Sequence, residues 1–125
     1  MSPFSRQIRT FRENRKLRQS EAAELLGYEN TYLCGIETGS KGTPNTEFVK
    51  QLIYKYELNE QEIESLWDSL KRSKRRYVVP LKASTEIYEL YYLLNEQVKE
   101  LTPTQINLIQ IALNMRVNKE ESHVS

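Results

Sequence analysis

RQSEAAELLGYENTYLCGIETG, Arg18 to Gly39, is the stretch whose reading decides the fold of this 125-residue chain. From Gln19 to Leu26, Ala22, Ala23 and Leu26 fall on one helical face and Glu21 and Glu24 on another, the pattern of an amphipathic helix. Gly27 ends that helix, because a sharp turn after a helix needs a residue that accepts positive φ. The chain then restarts at once. Asn30 is suited to cap a second helix running to about Thr38, with Leu33 and Ile36 turned inward and Gly39 closing it. The expectation is a helix, a tight turn and a second helix.

Upstream, Ser2 before Pro3 is a helix start. Phe4, Ile8 and Phe11 follow at helical spacing, with arginines on the remaining surface. Downstream, Ser40, Lys41, Gly42, Thr43 and Pro44 form a loop with short side chains and exposed amides. Asn45 caps a fourth helix whose apolar face is Phe48, Val49, Leu52, Ile53 and Tyr56. Asn59 with Glu62 makes a capping box for a fifth. Its Ile63, Leu66, Trp67 and Leu70 are expected to close a core, Trp67 serving as core rather than as a ligand-binding ring. A first domain over 1–74 is the result. Residues 75–83 read as a linker, since the helix cannot pass Pro80 cleanly.

The last third reads as a second helical unit over 84–117. Ser84 opens a helix in which Ile87, Leu90, Tyr91, Leu94, Val98 and Leu101 recur at three and four, a narrow seam. Thr102, Pro103 and Gln105 start another, expected to reach about Val117. It is apolar nearly all round, with Ile106, Ile109 and Leu113 on one side and Leu108, Ile111, Ala112 and Met115 on another. Two such helices need more cover than they give each other. A dimer interface through Ile87, Leu90, Tyr91, Leu94, Val98, Ile106, Ile109 and Leu113 is expected, with packing against the first domain as the alternative. The polar tail 118–125, with His123, is expected to be disordered.

Lys and Arg number 18 against 17 Asp and Glu, so no overall basic charge announces nucleic acid. Distribution says more: Arg6, Arg9, Arg12, Arg15, Lys16 and Arg18 crowd the N-terminus, and Lys71, Arg72, Lys74, Arg75 and Arg76 form a second group. Phosphate contact is the favoured use of the first group. Cys34 is the one cysteine, which leaves no disulfide framework; an oxidisable thiol there is a minor alternative. No run approaches the roughly 20 apolar residues of a membrane span, and no signal-peptide apolar region follows Met1. A cytoplasmic protein without cofactor or metal is expected. No phosphate loop, metal spacing or nucleophile motif points to an enzyme.

Gln19, Ala23, Leu26, Gly27, Leu33, Ile36, Glu37 and Gly39, with Pro44 after them, resemble the XRE type of helix-turn-helix regulator, the group of the lambdoid phage repressors. The resemblance covers residues 4 to 66, about half of the chain. It implies an all-α protein: a five-helix lambda-repressor-like DNA-binding domain, a linker and a two-helix C-terminal dimerisation unit. It also implies a repressor of bacterial, phage or mobile-element origin that binds an inverted repeat of double-stranded DNA as a homodimer. Its base-reading positions match Glu29, Asn30, Thr31 and Gly35. Asn suits adenine, Thr a thymine methyl and Glu cytosine N4, whereas Gly35 departs from the long polar residue of other members. Asn30 has the competing role of helix cap. Gln19 matches a phosphate-binding glutamine, and the loop with Lys41 and Thr43 matches one that runs along the DNA backbone. Arg6 and Tyr32 join that backbone set. Arg12 matches an arginine that pairs with the acid at Glu37. A second reading keeps the fold but makes the chain an antitoxin or adaptor that holds a protein partner with its C-terminal helices.

Overall fold

Ser2 and Pro3 open the first helix, α1 (Pro3–Asn14), with the Ser2 hydroxyl accepting the Ser5 amide at 3.1 Å. The computed structural model describes residues 1–115; the expected helix end at Val117 and the tail 118–125 with His123 lie outside the described residues. Among them are seven α-helices, one 3-10 turn and no strand, in two units, Met1–Arg76 and a second beginning at Tyr77.

In the first unit α1 is followed by α2 (Gln19–Leu26), α3 (Asn30–Thr38), α4 (Thr46–Lys55) and α5 (Glu60–Lys71). Asn45 accepts the Phe48 amide at 3.1 Å, and Asn59 with Glu62 closes a reciprocal capping box. Phe4, Ile8 and Phe11 of α1, Ala22, Ala23 and Leu26 of α2, Leu33 and Ile36 of α3, Phe48, Val49 and Leu52 of α4 and Leu66 of α5 form one buried cluster. Small Ala22 and Ala23 let α2 lie close on its neighbours. Buried serines join α1 to the end of α5. Ser73 accepts the orphan amide of Phe4 at 2.8 Å and donates to the Ser69 carbonyl at 2.6 Å.

Two expectations are corrected here. Trp67 is not core: it is 36% exposed, because one helical step from Leu66 turns it about 100° away from the cluster. Of the N-terminal arginines, Arg12 and Arg15 are spent on partners inside the fold, while Arg9 and Arg18 sit in exposed pairs open to solvent. Arg12 pairs with Glu37, Arg15 donates to the Tyr56 and Phe11 carbonyls, Arg9 pairs with Glu13 and Arg18 with Glu21. Each guanidinium found an acceptor or carboxylate within reach of its own helix or the next.

Tyr56, 4% exposed, carries a phenol pushed up to about 12, first by burial and then by nearby Glu37. Between pH 10 and 12 the unfolded phenol ionises while the folded one keeps its proton. The folded state therefore binds more protons there, and stability falls as pH rises. Tyr56→Phe is expected to remove about 2 kcal/mol of that alkaline loss, read as the difference in urea unfolding between pH 9 and 12. A pH dependence identical to the parent's would refute the assignment.

The second unit holds α6 (Thr85–Gln97), a 3-10 turn (Val98–Glu100) and α7 (Pro103–Leu113). Ser84 caps α6, and Thr102 with Gln105 forms a capping box on α7. The helix expected to run through Leu101 ends at Gln97. Leu101 and Thr102 are extended so that α7 can restart, and the turn before them tightens to 3-10. Neither α6 nor α7 has a buried residue. Large side chains stand in solvent, among them Leu90 at 55%, Tyr91 at 38%, Leu94 at 44% and Ile109 at 37% exposed.

Candidate nucleic-acid interface

Gly27, at φ 82°, turns the chain out of α2, and the Tyr28 amide donates back to the Ala23 carbonyl at 2.9 Å. That left-handed residue lets α3 begin three positions later. Glu29, not Asn30, is the N-cap of α3: it is extended at φ −73° and ψ 149°, while Asn30 is already helical. The expected capping role of Asn30 is thereby corrected. Its side-chain amide is exposed and makes no hydrogen bond among the described residues, and Glu29 and Thr31 are exposed beside it.

Leu33, Ile36 and Glu37 face inward from α3. The Glu37 side chain is 4% exposed and accepts from Arg12 Nε at 2.8 Å and Arg12 Nη2 at 3.0 Å. Arg12 Nη1 reaches the Leu17 carbonyl at 2.9 Å, so one guanidinium joins α1, the turn before α2 and α3. That hydrogen bonding to Glu37 raises the Arg12 pKa. Gln19, at the first position of α2, donates its amide to Glu37 Oε1 at 3.2 Å. Its side chain is thus held at the start of α2, against the base of α3.

Tyr28 and Tyr32 stack with centroids 5.0 Å apart, and both lean on Phe48. Tyr32 is half-buried by this packing. Cys34 is exposed on α3. Gly35 is buried although it points away from the core, because the side chain of Lys41 lies over it. Ser40, Lys41 and Thr43 are exposed in the loop that follows.

Arg6 is exposed and takes part in none of the contacts just described. It stands on the side of α1 opposite Phe4, Ile8 and Phe11 and lines a shallow hollow with Pro3, Gln7 and Thr10. A cation the sequence pointed to less firmly, Arg75, lines a cleft with Thr38, Gly39 and Thr43. Its place in the second basic run was the available signal. Among the described residues no cluster of His, Cys, Asp and Glu suits a metal ion, and no helix is long and apolar enough to cross a membrane.

The chain is thus similar to known proteins in the part just described. The family described as a helix-turn-helix domain matches residues 3–66, over half of the chain. An uncharacterized HTH-type transcriptional regulator, RghRB of Bacillus subtilis (strain 168), is 38% identical over 52 residues. The match takes in 42% of this chain and 37% of that protein, so the chain spans well under half the length of its curated relative. No solved structure matches.

Proposed function

Because this chain belongs to the helix-turn-helix domain family, as an XRE-like member, we propose that it is a sequence-specific DNA-binding transcriptional regulator. It acts as a repressor of bacterial, phage or mobile-element origin and binds an inverted repeat as a homodimer. The observation that carries this is the open start of α3: Glu29, Asn30 and Thr31 expose polar groups, with no side-chain hydrogen bond spent on capping. B-DNA's major groove admits one α-helix, and side chains near that helix's start reach base edges. Asn30 reads adenine, Thr31 meets a thymine methyl and Glu29 accepts from cytosine N4. Gln19 and Thr43, with Arg75 of the cleft that Thr43 lines, contact phosphates. Tyr32 supports the helix through its ring and turns its hydroxyl to the backbone of the DNA.

Homodimerisation rests on the second unit. α6 and α7 have good caps and no buried residue, so their apolar side chains want a second copy. Paired helices then set the spacing of two α3 helices to about one DNA turn, roughly 34 Å, or a multiple. The same exposed faces support the reading as an antitoxin or adaptor, in which a different protein covers them. Sedimentation separates the two: a clean dimer of the pure chain supports the regulator, and an aggregate that a partner resolves supports the adaptor.

Selection from randomised duplex DNA at near-physiological salt tests the main proposal, because weak phosphate binding does not survive there. Enrichment of one inverted repeat is expected. On that site Asn30→Ala or Thr31→Ala should cost about 1–3 kcal/mol and should cost little on random DNA. Equal losses on both would remove these residues from base reading.

A further inference from the structure

We propose that Lys41, a loop residue, reads a base in place of Gly35: its stem is laid across α3 so that its ammonium meets the guanine acceptors N7 and O6. This rests on the DNA-binding reading above and deepens it. Gly35 lies roughly 200° around α3 from buried Leu33, on the outward face where a reading side chain would stand. It has no side chain, yet it is buried. A Cβ placed there would fall 2.6, 2.7 and 2.9 Å from Cγ, Cδ and Cε of Lys41. The methylenes of the lysine therefore occupy the lane that any other residue at 35 would fill.

Glycine inside a helix is unfavourable relative to alanine, and Gly35 is not a turn residue; the lane is what its absent side chain provides. The backbone fixes the start of the path. The Lys41 amide donates to the Gly35 carbonyl at 3.2 Å, beside the Gly39 amide at 3.0 Å on the same oxygen. Its far end lies near an aromatic ring. Lys41 Nζ lies 5.8 Å from the ring centroid of Tyr32, which is itself held against Tyr28 and Phe48.

Tyr32 precedes Gly35 by three residues, so the stem runs back toward the start of α3, the end that meets base edges. Thr31, four residues before Gly35, shares that face. With three donors on a compact cation, Lys41 suits the paired acceptors of guanine better than any other base edge.

Selection from randomised duplexes is run in parallel on the full chain, Lys41→Ala, Gly35→Ala and the double variant. The parent is expected to prefer guanine at one position of each half-site. Lys41→Ala should flatten that position, with discrimination falling on the order of 10-fold, and leave the others unchanged. Gly35→Ala keeps the lysine but closes its lane, so it should flatten the same position while melting no lower than the parent. The double variant should be no worse than either single one. Uniform weakening across all bases in Lys41→Ala would make it a phosphate contact and overturn the inference alone. So would retention of the guanine preference in Gly35→Ala. A folded parent that enriches no site would overturn the DNA-binding reading and this inference together.

Discussion

Arg12→Ala is expected to cost the Met1–Arg76 unit about 3–5 kcal/mol, measured by urea unfolding. The reason is what it leaves behind. The Glu37 carboxylate, 4% exposed, would lose two charge-assisted bonds of 2.8 and 3.0 Å and keep one neutral donor, Gln19 at 3.2 Å. The Leu17 carbonyl would lose its donor too. A domain of this size has about 5–15 kcal/mol to lose, so a fall in melting temperature of more than ten degrees should accompany the change. Arg12→Lys keeps the charge but not the two-pronged geometry, and an intermediate loss is expected. A loss under about 1 kcal/mol for Arg12→Ala would place the pair with ordinary surface ion pairs.

Leu90→Lys combined with Leu94→Lys is expected to convert the proposed dimer to the 14.8 kDa monomer in sedimentation. Both leucines are exposed within the chain, at 55% and 44%, so each protomer should keep its own fold. DNA binding should change in a particular way. Affinity for the full inverted repeat should fall by about 100-fold to 10,000-fold, since the second half-site is no longer held at high effective concentration. Affinity for an isolated half-site should stay as it was. A variant that remains dimeric, or that binds the full repeat as tightly as before, would remove α6 from the proposed interface.

Much of the first unit was legible because its signals are local. Gly27, Gly39, Asn45 and Asn59 mark helix ends through conformations and caps that involve residues a few positions away. The failures were of another kind. Trp67 has the spacing of a core residue in its own helix, but what faces it is decided by where α1 lies. The Arg12–Glu37 pair was legible through the resemblance, whereas Arg15 looks like the rest of its charge run and only the packing brings the Tyr56 carbonyl to it. The break after Gln97 was hidden because the apolar repeat continues through Val98 and Leu101 even though the backbone does not.

By itself the sequence determined the two helices around Gly27, the inward pair Leu33 and Ile36 and the apolar excess of the last third. These depend on backbone preferences and on period, which a residue carries wherever it sits. Tertiary structure alone decided that Gln19 rests on Glu37, that Arg75 shares a cleft with Thr43 and that the empty place at Gly35 is filled by Lys41. Hydrogen bonds and steric exclusion act over about 3–4 Å. No spacing along a chain states which residues will come that close; the packing of α1 to α5 does.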